Sequence, residues 1–459
     1  MRTVVLSYAI FCWRSLRRRI ESSSAFRHSI VGVLGIALTG AATARADTVT
    51  FWNVTAINTI RTASPTLGPL APMLASRAMA MMHVAIADAV TSIHPVYKPY
   101  AIRLEGHGNA DQIAAASAAA YGVLVRLFPA QESSLRAALA ESLAQVPNGS
   151  KKDEGVAVGD QVAAMIVALR SNDGSDVRMT YTPPIGLGHW QPDPRTGASP
   201  FLSWRFVTPW TMQRVNQFRP GPPPDIREPL FAQDLAEVKA LGGVISSIRT
   251  EEQANIARFV TDNPVFQYNR LARLVAAAVP MSLETNARAF SLFAMVLADE
   301  FISGFDAKYE YHFWRPWTAV QNAAAIGHAE LQDSTWFSLI PTPAHPEYTA
   351  NHAIQSAAIV TVLKHFYGED VPPVTLTCEA ASCPAGFTVT SGHLDDFKTL
   401  FGVARIYGGI HYRFSINLGW EQGVQIAQNA IENFYLHGSG LGEHVDRTIN
   451  KEREVSGEN

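Results

Sequence analysis

Six stretches of this chain repeat apolar residues at spacings of three and four, and that period decides the fold class before any single residue is considered. They run over residues 70–93, 110–127, 130–146, 153–170, 228–241 and 283–302. Alanine, leucine and methionine dominate them, so each predicts a helix with a buried face. Strand-like alternation is scarce, and the fold class is therefore mainly α: helical bundles joined by long Pro/Gly-rich loops. With 47% apolar and 17% charged residues over 459 positions, the chain can bury a large core. That length exceeds what one core organises, which predicts two packed halves. Residues 180–224 are too dense in proline, glycine and tryptophan for a bundle helix. They predict a long loop of the kind that covers a site, and a seam between an N-terminal helical half (47–225) and a C-terminal one (226–445), with a polar tail over 446–459.

Arg14, Arg17, Arg18 and Arg19 precede an apolar run over 30–39 and the small-residue stretch Ala44-Arg45-Ala46. This order predicts a signal peptide over 1–46, with the mature chain starting at Asp47. The run is too short to span ~30 Å of hydrocarbon as a helix. Cleavage is expected rather than stable membrane insertion, with an uncleaved anchor as the alternative, and the protein is expected to be exported to the periplasm or the exterior. A net charge of −3, with no basic stripe after the N-terminus, gives no electrostatic case for a nucleic-acid partner. Of three cysteines, Cys12 leaves with the signal. Cys378 and Cys383 then predict a local disulfide in an oxidising compartment, with two free thiols as the alternative. No second Cys or His pair stands near them at zinc-ligand spacing. The oligomeric state is not legible.

Three segments carry chemistry. Lys308 and Arg315 stand seven residues apart, a spacing that returns to nearly the same helix face, so both reach one anion. Pro316 ends or bends the helix there. Alone, such a pair more often marks a solvated face, but Tyr309, Tyr311, Phe313 and Trp314 leave little polar surface around it. In the second segment, Pro343 to Asn351 leads into a helix with His352 near its start, where free backbone N–H groups favour an anion. In the third, Arg405 and His411 lie six residues apart, off a common helix face, and Gly408-Gly409 predicts a bend that brings them together. Any one of fourteen histidines is more often structural than catalytic. The ordered set carries the argument.

Lys308 to Pro316 matches the KxxxxxxRP pattern of the vanadium-dependent haloperoxidase and type 2 phosphatidic acid phosphatase superfamily, and the other two segments follow in that family's order. The chain resembles this superfamily. MAMMHVAIADAV from Met79, GLGHWQPDP from Gly186 and FVTDNPVFQYNRLAR around Asp262 also resemble its secreted bacterial haloperoxidase-like branch. The resemblance departs where Thr349-Ala350-Asn351 replaces Pro-Ser-Gly before His352, and where Ala404 replaces the serine before Arg405. Ser391-Gly392-His393 spells the central motif literally but sits too close to Arg405 and lacks the PAHPEY entry.

The resemblance implies helical bundles of the haloperoxidase and acid-phosphatase type, with vanadate or phosphate held by Lys308, Arg315 and Arg405 and by Asn351 in place of the serine. It implies His411 as the metal ligand or the nucleophile and His352 as general acid and base; a neutral His411 that presents a lone pair should then have an acceptor on its other ring N–H. Asp262 would orient the second arginine, Arg405. His345 stands where chloride oxidisers carry an aromatic and bromide oxidisers a histidine. The expected function is a haloperoxidase, an oxidoreductase that uses hydrogen peroxide to oxidise halide at histidine-bound vanadate. The alternatives are an acid phosphatase working on a phosphate ester through a phosphohistidine, and an exported anion-binding protein without catalysis.

Overall fold

Helix formers at a 3.6-residue period fold as the pattern requires in the computed structural model, which describes residues 47–63, 70–196 and 201–438. The expected signal (1–46) and the polar tail (446–459) lie outside the described residues. Among these, the helices are α1 Thr48–Arg61, α2 Pro72–Ile93, α3 Gln112–Leu127, α4 Glu132–Leu143, α5 Ser150–Leu169, α6 Pro229–Gly242, α7 Glu251–Phe259, α8 Pro264–Ala278, α9 Leu283–Tyr311, α10 Pro316–Gln321, α11 Asn351–Tyr367, α12 Leu394–Tyr407 and α13 Arg413–Asn433. The described sheet is one antiparallel pair, β1 Asp370–Leu376 with β2 Val389–His393, in a register that sets Leu376 opposite Val389.

Entry signals are local. Asp47 caps α1 by accepting from the backbone N–H of Val49 and Thr50, and Pro72, Pro229, Pro264 and Pro316 open their helices at positions where the missing N–H is not needed. α2 is the one described helix long and apolar enough to cross a membrane, and 89% of its apolar window is buried inside the protein. It packs with α9, whose residues from Ala289 to Tyr309 are all buried. One hydrophobic cluster takes in Trp52 of α1, Met82 of α2, Phe293 of α9, Ile359 of α11 and Ile426 of α13. Trp204, Val207 and Trp210, inside the 180–224 stretch, join the same cluster.

Buried carboxylates tie that stretch to the helices. Asp299 on α9 accepts the N–H groups of Trp210 and Thr211 at 2.7 Å each, and Asp306 receives Arg205 and Arg219. The expected helix over 283–302 is longer than its periodicity suggested, because α9 continues through Lys308 to Tyr311.

Candidate oxyanion site

α9 stops because His312 takes a left-handed backbone, with φ 50°. Lys308 therefore lies in the last turn of one helix, while Arg315 sits at the N-cap of another, α10. The shared helix face expected from the seven-residue spacing does not form. Convergence comes instead from the connection between the helices. The connection is held by residues 188–190: Trp190 donates to the His312 carbonyl at 2.7 Å and Trp314 donates to that of Gly188 at 3.0 Å. The Pro/Gly-rich loop thus borders the site.

Both cations close on one segment. Lys308 Nζ donates to the carbonyls of Glu347 (2.8 Å) and Thr349. Arg315 donates to the His345 carbonyl from Nε (3.1 Å) and Nη2 (3.0 Å), and to the Ile410 carbonyl from Nη1 (2.9 Å). Both side chains are fully buried. The same Nη1 lies 3.0 Å from His411 Nε2. The other ring nitrogen of His411, Nδ1, is 2.6 Å from Glu347 Oε1, which also accepts from the Tyr412 N–H at 3.2 Å. Glu347 is fully buried.

Arg405 lies in the last turn of α12, and the chain turns out of it at Gly409 with φ 77°. A Cβ there would meet the Gly242 carbonyl oxygen at 2.2 Å, so only glycine lets this turn pack against the end of α6. The buried Arg405 guanidinium donates Nη1 to the Val260 carbonyl at 3.0 Å, whereas its Nε is buried with no protein partner. Its charge is felt at Lys308, Arg315, His352 and His411.

Asn351 begins α11, and its Oδ1 is buried without a partner. It faces Gly304, where a Cβ would lie 2.8 Å from that oxygen. His352 follows and is half-buried. His345 is half-buried beside Phe305, ring to ring at 5.2 Å.

Asp262 is elsewhere in the network. Its carboxylate takes Arg270 at 3.3 Å and the Glu379 N–H at 3.0 Å, while Arg405 bonds the backbone two residues earlier. In place of the expected partnership with Arg405, Asp262 pairs with Arg270, eight residues on in α8. Cys378 and Cys383 are disulfide-bonded, with Cα atoms 5.8 Å apart, in the β1–β2 connection that supplies Glu379. Ser391-Gly392-His393 falls in β2, where His393 bonds Asp370 at 2.8 Å, apart from the three cations.

Electrostatics follow from burying three cations with two carboxyl groups, Glu347 and Glu300, that both act on Lys308. Burial pulls Lys308 well below its ordinary range, Arg315 down to about 9 and Arg405 down to about 10, and Arg315 and Arg405 lower Lys308 further. Burial, then the same cations, hold His345, His352 and His411 well below the usual imidazole range. Glu347 is pushed up to about 7 by burial, against the pull of Arg315 and Lys308. The excess of positive charge and the unpartnered Arg405 N–H fit a multiply charged tetrahedral oxyanion. Sequence reading missed Glu347. Its signal was a carboxylate between Pro346 and Tyr348 in an otherwise apolar turn.

A family description, VCPO second helical-bundle domain, matches residues 288–438. The chain is 24% identical over 400 residues to a vanadium chloroperoxidase from Curvularia inaequalis, a match that covers 70% of this chain and 65% of that relative's length. Its fold is similar to a solved bacterial vanadium-dependent iodoperoxidase, with TM-score 0.70 and 24% identity over 85% of this chain and 96% of the other. It is also similar to a holo-type bacterial vanadium-dependent chloroperoxidase, with TM-score 0.65 and 17% identity over 82% and 95% of the two chains.

Proposed function

This chain belongs to the vanadium haloperoxidase superfamily, and from that premise we propose that it oxidises halide with hydrogen peroxide at vanadate held by His411. The observation that carries the reading is the meeting of Lys308, Arg315 and Arg405 around His411, buried and short of negative charge. Lys308, Arg315, Arg405 and Asn351 would hold the oxygens, and His411 Nε2 would offer its lone pair to the central atom. Vanadate, when bound, supplies the Lewis-acid centre at which peroxide is activated toward halide.

The remaining work belongs to side chains. His352, at the start of α11, is kept neutral first by desolvation and then by the cations around it, and is free to take a proton from an incoming peroxide. Neutralising the cations with an oxyanion raises its proton affinity, so it can return that proton to a leaving group. His345, with Phe305 against its ring, is proposed to set halide choice, with bromide as the limit. Export, with 1–46 as the signal, is part of the same proposal. It is supported by the Arg-rich start and the Ala44-Arg45-Ala46 stretch.

A second reading rests on His411 itself. A neutral imidazole with an unprotonated Nε2, bonded here by Arg315 Nη1, also suits attack on phosphorus and a phosphohistidine intermediate once that N–H turns to the anion. One experiment separates the two: apo-protein with and without orthovanadate, assayed against peroxide plus bromide and against a generic phosphate ester. Vanadate-dependent bromide oxidation is the expected result. Ester hydrolysis inhibited by vanadate would favour the phosphatase, and oxyanion binding with no turnover of either would leave an anion-binding protein.

A further inference from the structure

Among buried titratable groups, Glu347 stands out because both its backbone and its side chain are engaged by site residues. Its N–H donates to the Phe313 carbonyl at 2.9 Å. Its own carbonyl accepts Lys308 Nζ at 2.8 Å. Its Oε1 is 2.6 Å from His411 Nδ1. One residue thus links the site's lysine to its histidine.

The geometry assigns to Glu347 the task of fixing His411 in the tautomer whose Nε2 lone pair faces the oxyanion pocket, an assignment that rests on reading that pocket as an oxyanion site. Two contacts require the same proton placement independently. When Glu347 is ionised, its Oε1, which already accepts the Tyr412 N–H, accepts again, so the ring proton belongs on Nδ1. On the other side, Arg315 Nη1, 3.0 Å from Nε2, is a donor with no acceptor capacity, so Nε2 must carry the lone pair. The nitrogen left unprotonated is the one beside the cations, and a carboxylate behind the ring strengthens it as a ligand. Glu347 is therefore a positioning residue. It acts on bound oxyanion through His411.

A residue that merely offset buried positive charge would change the binding of all oxyanions alike. A residue that fixes the imidazole affects orthovanadate, which takes a bond from the ring nitrogen, and spares inorganic phosphate, which is held by charge and hydrogen bonds. The test is nitrogen NMR of the imidazoles in the intact protein, with calorimetric affinities for orthovanadate and phosphate, on wild type, Glu347→Leu and Glu347→Gln.

In the wild type, His411 should carry its proton on Nδ1. Glu347→Leu should mix the tautomers and lower the preference for vanadate over phosphate by on the order of ten- to a hundredfold, with phosphate binding kept or tightened. Glu347→Gln, whose amide oxygen can replace Oε1 and keep the Tyr412 N–H paired, should retain the tautomer and give an intermediate preference. A wild-type proton on Nε2, or variants that leave both tautomer and preference unchanged, would overturn the assignment. Should Glu347→Leu not fold, the wild-type spectrum and Glu347→Gln still decide it. Should the wild type bind neither oxyanion, the reading of the pocket fails, while the tautomer alone still decides the role of Glu347.

Discussion

The contact between α3 and α5 and the cluster around His411 are both closely packed, by opposite means. In the first, glycines let helix backbones touch: a Cβ on Gly155 would lie 2.4 Å from the Asp111 carbonyl oxygen, and one on Gly159 2.2 Å from that of Ala115. Stability there comes from excluded water and matched surfaces. In the second, helices end, and their ends and connections surround buried cations whose ordinary charge is disfavoured by burial. The difference separates a region that holds the fold from one whose buried positive charge the proposed oxyanion would balance. Substitutions in the two should therefore fail differently.

The strongest separation is expected at His411. Replacing it with alanine should remove at least about a thousandfold of kcat for either chemistry. The loss counts as chemistry only if the melting temperature stays near that of the wild type. Full activity of either kind in this variant would overturn the site. Next comes Arg405→Lys, which keeps a charge but loses the planar fork. One lost charge-assisted hydrogen bond, about 1.5–3 kcal/mol, corresponds to roughly ten- to a hundredfold in phosphate or vanadate affinity. Titration calorimetry with an unchanged Kd would show that Arg405 does not hold the anion.

How legible each region was follows the same division. The helices of the core were readable because Ala, Leu and Met at spacings of three and four announce a buried face. Of the site, Lys308, Arg315, Asn351, His352, Arg405 and His411 were readable as motif residues meant to converge, but the route by which Lys308 and Arg315 meet was not. The helical step placed Lys308 and Arg315 on one face, yet the chain leaves the helix at His312; histidine is among the residues enriched in left-handed backbone, but a non-glycine there is too uncommon to announce a helix end. Glu347 was invisible because its partner lies 64 positions away and no local period links them. Asp262 was read by resemblance, and a nearer arginine, Arg270, holds it.

In the scaffold the expected failure is thermodynamic. Gly159→Ala would drive a methyl into the backbone of α3, whose nearest atoms are the Ala115 oxygen at 2.2 Å and the Ala119 nitrogen at 2.7 Å. Backbone cannot swing aside like a side chain, so the helices must separate, at a cost of about 1–3 kcal/mol. Urea unfolding should show the loss, while kcat per folded molecule stays at the wild-type value. A drop in kcat without a drop in stability would mean that the two regions are coupled.

The smallest effect concerns protons, and it sharpens the comparison because both regions bury neutral histidines. His83 on α2 is fully buried, with Asn53 Nδ2 2.9 Å from its Nε2. Burial first, then Arg273, holds it down at about 3. An unfolded histidine takes its proton near 6.5, so this folded-state depression contributes stability that is full above about pH 6.5. That stability is lost as the pH falls from there toward about 3, at no more than about 1.4 kcal/mol per unit. Asp88 and Asp234, both raised to about 6 by burial, act with the opposite sign in part of this window, so the total slope is not diagnostic. The difference between wild type and His83→Gln isolates the histidine: the variant should lose less stability than the wild type between pH 6.5 and 5.5, by up to about 1 kcal/mol. Phosphate should leave that difference unchanged, because Arg273 is not among the cations proposed to hold the oxyanion. At His352 and His411 it should raise proton affinity by offsetting the cations that depress it. A phosphate-sensitive difference at His83 would mean that the scaffold senses the anion, and the division drawn between the two regions would fail.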